Sequence, residues 1–145
     1  MNDELSAPVS VLCVDDELDS ADLTAIRLEQ LDERFSVETV ADAEGGLEHV
    51  EDHSIDCVVS DYKMPEIDGL TFFEMVREQF PDLPFILFTG RGTPAVADDA
   101  RSKGVTDYIE KDVPDRYETL ADQIRTAVGK YRERRRLEDD LDFER

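Results

Sequence analysis

Acidic side chains follow two separate apolar runs that have the length of buried strands. Asp15 and Asp16 come directly after residues 11–14, and Asp61 follows residues 57–60. Ligands bind beside the carboxyl ends of the strands in an open parallel sheet, so these three carboxylates are expected to share one crevice. Carboxylates that close repel one another unless a cation joins them, and Mg²⁺ accepts one or two carboxylates together with phosphate oxygens. The spacing therefore predicts a magnesium-assisted phosphoryl site.

The elements that position these carboxylates are predicted from five alternations of an apolar run with a helical pattern, which is typical of βαβ architecture. The predicted strands are Val9–Val14, Phe35–Val40, Cys57–Ser60, Phe85–Thr89 and Asp107–Glu110. The four helices between them are marked by Leu23, Ile26 and Leu31; by Leu47 and Val50; by Phe72, Met75 and Val76; and by Val96 and Ala100. The sequence therefore predicts an α/β fold with short connections.

Two helices have clearer signals. Thr93-Pro94 predicts an N-cap with proline at the first helical position, and Lys103-Gly104 predicts the end of the same fourth helix. The fifth helix is expected to begin near Tyr117 and to pack a stripe on the sheet that comprises Leu120, Ile124, Val128 and Tyr131. Residues 131–145 are mostly charged and are predicted to be a helical extension or a linker.

Length and hydropathy limit the classes of protein. The chain has 145 residues, 40% of them hydrophobic, which suits one domain with one core. No run approaches the roughly 18 apolar residues of a membrane span, and the polar start, residues 1–4, lacks the features of a secretion signal. We expect a cytoplasmic protein without a membrane partner. Cys13 and Cys57 fall in predicted buried strands and are expected to be small apolar fillers.

The net charge is strongly negative, at -21. Residues 130–145 hold six basic and six acidic side chains, so the whole excess lies in the first 129 residues. A field of that sign repels nucleic acid and anionic lipid, which argues against DNA contact by this segment. Such acidity resembles that of proteins from salt-loving organisms, since molar salt shortens the Debye length to about 3 Å and screens self-repulsion.

The loop after Asp61 is the most specific feature. It reads Asp61-Tyr62-Lys63-Met64-Pro65-Glu66-Ile67-Asp68-Gly69. This loop resembles the phosphoacceptor loop of the receiver domains of two-component response regulators, whose pattern is Asp-x-x-Met-Pro-x-x-Asp-Gly. The ending Asp107-Tyr108-Ile109-Glu110-Lys111 is similar to that of receiver domains of halophilic archaea. Further features agree in order and spacing: Asp15-Asp16 after the first strand, Thr89-Gly90 closing the fourth, Tyr108 in the fifth, and Lys111 just past it.

The resemblance covers approximately residues 8–130 and implies a fold. That fold is a flavodoxin-like (βα)5 doubly wound parallel sheet with strand order 2-1-3-4-5 and helices on both faces. It also implies partners: a histidine kinase or phosphotransfer protein that supplies the phosphoryl group, and a downstream protein or a covalently following output domain that receives the signal.

The resemblance also assigns the ligands of the metal ion. Asp16 and Asp61 would hold Mg²⁺ directly, Asp15 would do so through water, and the backbone carbonyl of Lys63 would complete the protein ligands. Phosphoryl transfer asks the protein mainly to align groups and to neutralise charge on the transferred oxygens. Asp61 would then be the nucleophile that attacks the phosphoryl group of a phosphohistidine.

The resemblance also assigns three residues to the conformational change that follows phosphorylation, which we call the switch. Lys111 would pair with Asp61 and then with the phosphoryl oxygens, since a lysine ammonium is a compact point charge. Thr89 would donate its hydroxyl to another phosphoryl oxygen. In the family, an aromatic at the position of Tyr108 then turns inward, and the face formed by the fourth helix, fifth strand and fifth helix changes its surface for a partner.

Two departures from the family pattern affect these expectations. Asp112 follows Lys111 where many receiver domains have a proline, so the loop could hold the Lys111 amine differently. Lys63 and Arg91 stand two residues after Asp61 and Thr89. In the family, these positions flank the route of the hydrolytic water. Two long cations there are expected to change the lifetime of the acyl phosphate.

Each assignment has a structural alternative. Asp16 or Asp19 could cap the first helix, and Lys111 could be an ordinary surface lysine. Two other functions also compete: an aspartyl phosphatase of the haloacid dehalogenase type, and a receiver fold used only as a scaffold. Position 63, two residues after Asp61, carries no acid for the phosphatase, while the combination of acceptor, threonine and lysine argues against a mere scaffold.

Calcium sensing by an EF-hand is rejected, and a metal site on histidines is not favoured. The cluster that begins at Asp15 lacks the alternating ligands and the glycine of an EF-hand loop. His49 and His53 stand four residues apart without a third ligand nearby, and both are expected to face solvent.

Overall fold

The computed structural model describes residues 7–143, and the side chains of residues 7–139. The polar start, residues 1–4, and the last two residues of the predicted extension lie outside them. The elements follow in the order β1 Val9–Val14, α1 Leu18–Leu31, β2 Phe35–Val40, α2 Ala43–Asp52, β3 Cys57–Ser60, α3 Gly69–Gln79, β4 Phe85–Thr89, α4 Pro94–Lys103, β5 Asp107–Glu110 and α5 Arg116–Phe143. All five strands are confirmed at their predicted bounds.

The sheet is parallel throughout and has the strand order β2-β1-β3-β4-β5. This confirms the (βα)5 doubly wound architecture. The order of strands reverses between β1 and β3, where Val14 pairs with Ser60. The chain leaves these two strands at the same edge of the sheet, which is where a crevice forms in doubly wound folds.

Helices cover both faces of the sheet because successive strand residues point to opposite sides. On one face Val9 and Val11 of β1 join buried side chains of α1 and α5 in one cluster. On the other face Leu12 and Val14 join buried side chains of α2, α3 and α4. The central strands β3 and β4 are buried along their whole length, as their continuous apolar runs require.

The predicted limits of α4 and the presence of α1 are confirmed. The Thr93 hydroxyl accepts a hydrogen bond from the Val96 backbone N–H at 3.2 Å, and α4 ends before Gly104. In α1 the buried side chains are Ala21, Thr24 and Leu28, whereas Leu23 and Ile26, which mark the helix in the sequence, are 45% and 53% exposed. Two of these three buried side chains, Ala21 and Thr24, are small.

Neither aspartate proposed as a helix cap performs that role. The N-cap of α1 is Glu17, which makes no capping hydrogen bond through its side chain. Asp16 precedes it and Asp19 lies inside the first turn. The alternative reading of Asp16 as a cap is therefore wrong.

Helix α5 continues without a break to Phe143, and its charged segment forms hydrogen bonds and ion pairs with residues near the amino ends of the strands. Arg132 Nη2 lies 2.6 Å from the carbonyl oxygen of Pro8 and 3.0 Å from Asp56 Oδ2. Arg134 forms an ion pair of 3.1 Å with Asp82. The first turn of the charged segment thus packs with the domain, and no helix within residues 7–143 is long and apolar enough to cross a bilayer.

A buried carboxylate joins α1 to α5. Asp32 is 8% exposed and accepts hydrogen bonds from Arg34 Nη2 at 2.6 Å and from Arg125 Nε at 2.9 Å. The hydrogen bonds from Arg34 outweigh the effect of burial and, with Arg125, hold the pKa of Asp32 well below its usual range. The charged form is therefore favoured in the folded state.

Replacing Asp32 by asparagine is expected to lower the free energy of unfolding at neutral pH by about 2 kcal/mol, because the three hydrogen bonds from the guanidinium groups of Arg34 and Arg125 lose their anionic acceptor. A carboxyl whose pKa falls on folding stabilises the fold above its unfolded pKa of about 4, and this stabilisation declines as the pH falls further. Urea unfolding at several pH values measures the effect. A difference between wild type and Asp32→Asn that persists undiminished below pH 4 would contradict it.

Candidate functional site

Three carboxylates meet at the carboxyl edge of the sheet. Asp15 and Asp16 leave β1, and Asp61 leaves the adjacent β3. One oxygen atom from each of the three lies within 4.8 Å of the others. The sequence expectation that distant acidic side chains share one crevice thus matches the geometry.

Backbone N–H groups fix the orientation of two of these carboxylates. Asp15 Oδ1 accepts a hydrogen bond from the Glu17 N–H at 2.9 Å, and Asp61 Oδ1 accepts one from the Tyr62 N–H at 2.7 Å. Asp15 is 2% exposed and Asp61 is 4% exposed. The second oxygen of each carboxylate is left for the crevice, where a single cation can contact both.

That cation is the Lys111 ammonium. Its Nζ donates to Asp15 Oδ2 at 2.8 Å and to Ser20 Oγ at 3.0 Å, and lies 3.4 Å from Asp61 Oδ2. Burial would lower the pKa of Lys111, but the hydrogen bond to Asp15 and the charge of Asp61 outweigh it, so the pKa is raised. Asp112 therefore does not keep the amine out of the site, although the amine is closer to Asp15 than to Asp61.

The donor set also fits a divalent cation. Three carboxylates face one ammonium group, so negative charge remains uncompensated within the described residues. Asp16 Oδ1 is buried and accepts no hydrogen bond from the described part of the chain. A buried carboxylate oxygen without a partner is costly, and hard oxygen donors are the ligands that Mg²⁺ prefers.

The loop after Asp61 depends on close packing at Gly69. The Gly69 N–H donates to the carbonyl oxygen of Tyr62 at 2.7 Å, and Asp68 caps α3 by accepting from the Thr71 N–H at 2.8 Å. A Cβ at position 69 would overlap the carbonyl oxygen of Asp61. The Asp-Gly pair of the loop therefore lets α3 begin directly against the end of β3.

Comparison with known proteins agrees with this geometry. Residues 11–125 match the family model of the response regulator receiver domain. The chain belongs to this family. The receiver domain is 35% identical over 105 residues to a putative NtrX-like response regulator of Rickettsia conorii, which covers 71% of the chain and 22% of that protein. It is 33% identical over 133 residues to the C4-dicarboxylate transport transcriptional regulatory protein DctD of Rhizobium meliloti. This match covers 92% of the present chain and 27% of DctD.

Solved structures show the same fold. The receiver domain protein of Clostridium thermocellum superposes with a TM-score of 0.78 at 26% identity and covers 86% of this chain and 97% of its own. The receiver domain of NtrX from Brucella abortus superposes with a TM-score of 0.71 at 31% identity. The superposition covers 79% of the present chain and 96% of the NtrX receiver domain. The chain thus spans about a quarter of the length of the two curated relatives, yet nearly all of these isolated receiver domains.

Two of the three residues assigned to the switch, Thr89 and Tyr108, lie on the adjacent strands β4 and β5 of the receiver domain. Thr89 is 1% exposed, and its Oγ1 accepts a hydrogen bond from the Arg91 N–H at 3.1 Å. The Tyr108 hydroxyl is buried and has no hydrogen-bond partner within the described residues. Burial, followed by the charge of Glu110, raises the pKa of Tyr108. The phenol packs against Gly92, where an added Cβ would overlap the hydroxyl.

Replacing Gly92 by alanine is expected to displace the Tyr108 ring toward solvent, because the new methyl group would occupy the position of the hydroxyl. The pKa of Tyr108 should then fall toward its ordinary value, since burial is the main cause of its rise. Titration of the Tyr108 ring by NMR, assigned with Tyr108→Phe, measures the change. Gly90→Ala is the matched control, since its Cβ would meet only Lys111 Cβ at 3.6 Å. An unaltered Tyr108 titration in Gly92→Ala would contradict the expectation.

The remaining candidate residues lie outside the carboxylate cluster. The Lys63 side chain is exposed and lines an open cavity with Arg91. The expectation that both histidines face solvent is wrong for His49, whose side chain is 13% exposed and whose Nε2 lies 3.1 Å from Glu38 Oε2. Its ring stacks on His53 at a centroid distance of 4.0 Å.

Both cysteines are buried and free, as expected for apolar fillers. Burial raises the pKa of Cys13 to about 12 and also raises that of Cys57. Their thiols therefore remain protonated at neutral pH and take no part in the chemistry of the site.

Proposed function

We propose that the receiver domain accepts a phosphoryl group on Asp61 from the phosphohistidine of a kinase or phosphotransfer protein. An Asp61 carboxylate oxygen forms the new bond to phosphorus while the bond from phosphorus to the histidine nitrogen breaks. The observation that supports this most strongly is the cluster of three carboxylate oxygens within 4.8 Å, with Lys111 reaching two of the carboxylates. Lys111 neutralises charge on the transferred oxygens, and the Thr89 hydroxyl donates to one of them.

The acidic cluster would hold Mg²⁺ through Asp16 and Asp61, with Asp15 acting through water and the backbone carbonyl of Lys63 as a further ligand. When bound, the ion offsets the negative charge of the phosphoryl oxygens. The buried and unpartnered Asp16 Oδ1 supports this assignment. The protein's own contribution is to fix the carboxylates through the N–H groups of Glu17 and Tyr62.

The modified receiver domain passes the signal to a downstream protein or to an output domain on the same chain. Phosphorylation adds about -1.5 to -2 charges at Asp61, which recruits Thr89 and alters the face formed by α4, β5 and α5. We assign no nucleic-acid contact to this acidic segment and place it in the cytoplasm. The similarity to longer transcriptional regulators supports an output step without specifying it for this chain.

A stoichiometric experiment tests this function. Incubation with phosphoramidate and Mg²⁺, followed by peptide mass mapping, is expected to place one phosphoryl group on the peptide that contains Asp61. A chain with both histidines replaced, His49→Gln and His53→Gln, should be modified equally. Continuous turnover of an added phosphomonoester would instead support the phosphatase alternative, and a phosphoryl group on a histidine would contradict Asp61 as the acceptor.

The acidic surface is proposed to be an adaptation to high salt. At low ionic strength the net charge of -21 opposes the compact state, and molar salt screens that repulsion. We expect the melting temperature to rise steadily as KCl is increased from low to molar concentration. Circular dichroism at matched pH measures it, and a melting temperature that stays flat across this range would remove the inference.

A further inference from the structure

An ion pair joins two loops that follow the carboxyl ends of β1 and β4. Arg91 Nη2 lies 2.6 Å from Glu17 Oε1, although the two residues are 74 positions apart in the sequence. Glu17 lies in the loop between β1 and α1, and Arg91 lies in the loop between β4 and α4. The pair therefore links the loop that supplies two of the acidic residues to the loop that follows Thr89.

Each partner is also tied to a residue of the site. The Glu17 N–H donates to Asp15 Oδ1 at 2.9 Å, and the Arg91 N–H donates to Thr89 Oγ1 at 3.1 Å. A movement of the Thr89 hydroxyl toward a phosphoryl group would break its bond to the Arg91 backbone. The position of Arg91 is therefore coupled to the group that the switch is proposed to move.

Arg91 is placed and charged to receive an anion. Together with Tyr62 and Lys63 it lines an open cavity of about 530 Å³, to which Glu66 and Asp68 also contribute. A guanidinium group binds carboxylate and phosphate through the same fork of N–H donors. One N–H of that fork, on Nη2, donates to the carboxylate of Glu17 at 2.6 Å.

The Glu17–Arg91 pair is weak enough to exchange. The side chains of Glu17 and Arg91 are 60% and 47% exposed, and ion pairs that are this exposed contribute little to stability. A phosphoryl group carries about -1.5 to -2 charges and three acceptor oxygens, so it competes well with a single carboxylate.

We propose that Glu17 is an internal competitor that occupies Arg91 in the unphosphorylated receiver domain, and that Arg91 exchanges Glu17 for phosphoryl oxygens. In this arrangement Arg91 contacts the transferred group, and Glu17 is a positioning residue that acts through Arg91. The inference rests on the proposed phosphorylation of Asp61. The exchange would influence both the rate at which Asp61 is phosphorylated and the lifetime of the phosphoryl group.

Four proteins test the exchange: wild type, Glu17→Gln, Arg91→Gln and the double variant. Each is phosphorylated with acetyl phosphate and Mg²⁺ in 1 M KCl, where the Debye length of about 3 Å removes long-range charge effects. Intact mass measurement gives the rate of phosphoryl incorporation and, after removal of the donor, the lifetime. Glu17→Gln is expected to raise both by about two- to fivefold, the range that an exposed ion pair supports.

The double variant distinguishes exchange from a general effect of charge. In the Arg91→Gln background the Glu17→Gln substitution should change neither quantity, because its target is gone. Asp98→Asn is the matched control, since Asp98 forms an exposed ion pair of 3.4 Å with Arg101 and loses the same charge. It should behave as wild type, and melting temperatures should be similar for all variants.

The possible outcomes separate the two proposals. Suppose that wild type is phosphorylated. The exchange is then refuted by any of three results: Glu17→Gln has the same rate and lifetime as wild type, Glu17→Gln still changes them in the Arg91→Gln background, or Asp98→Asn changes them as well. The phosphorylation of Asp61 stands in each case. If wild type takes up no phosphoryl group, both are refuted.

Discussion

Replacing Asp16 by asparagine is expected to weaken Mg²⁺ binding, and with it phosphoryl transfer to Asp61, by about a hundredfold or more. Loss of even a group that only orients a metal ligand costs about 10- to 100-fold in affinity, and Asp16 is proposed to contact the ion itself. Asparagine keeps the size of the side chain and one oxygen but removes the charge. Isothermal titration calorimetry with Mg²⁺ measures the binding.

Although Asp16→Asn weakens Mg²⁺ binding, it should stabilise the fold when no divalent ion is added. One of three clustered carboxylates becomes neutral, so the repulsion within the 4.8 Å cluster decreases and the melting temperature should rise. Asp19→Asn is the control, since Asp19 is exposed on the first turn of α1 and carries the same charge. Equal Mg²⁺ affinities for Asp16→Asn and wild type would contradict Asp16 as a ligand.

Replacing Lys111 by methionine is expected to lower the free energy of unfolding without Mg²⁺ by about 3 kcal/mol, because removal of one partner leaves buried charges uncompensated. Asp15 and Asp61 would keep their burial but lose the ammonium that lies 2.8 Å and 3.4 Å away. Methionine retains an apolar stem, so lost packing contributes little. Phosphoryl incorporation should also slow by about a hundredfold, as when a preorganised donor is removed.

A surface lysine provides the control for Lys111. Lys103 pairs with Glu74 at 3.7 Å, and both side chains are substantially exposed, so Lys103→Met should cost less than about 1 kcal/mol. Urea unfolding with and without Mg²⁺ measures both variants. If the two lysine substitutions cost the same, Lys111 is not the counter-charge of the cluster.

The sequence was sufficient to predict the sheet and the meeting of the carboxylates, for a physical reason. Fully buried strands such as Cys57–Ser60 and Phe85–Thr89 are nearly continuous apolar runs, so their first and last residues can be predicted from the sequence. An aspartate that follows such a run must lie at the carboxyl edge of the sheet. The meeting of Asp15, Asp16 and Asp61 follows from that rule together with the pairing of β1 with β3, which the resemblance to receiver domains implied.

The helix faces were harder to predict. In α1 the larger apolar side chains Leu23 and Ile26 are exposed, while the smaller Ala21 and Thr24 face the sheet. Hydrophobic spacing favours the larger residues, but close approach of a helix to a sheet favours small ones. Only the three-dimensional packing decides between these two requirements.

Contacts between side chains of distant loops left no signal in the sequence. The ion pair of Glu17 with Arg91 and the hydrogen bond of Lys111 to Ser20 join residues 74 and 91 positions apart. The burial of His49 against Glu38 likewise depends on how α2 lies on β2. No periodic pattern encodes such pairs, because each depends on loop conformation rather than on the spacing of an element.

The most direct test of the account is intact mass measurement after incubation with acetyl phosphate, with and without Mg²⁺, for wild type and for Asp61→Ala. The account predicts that wild type gains the mass of one phosphoryl group only when Mg²⁺ is present, and that Asp61→Ala gains none. Equal incorporation without the metal, or incorporation by Asp61→Ala, would contradict it.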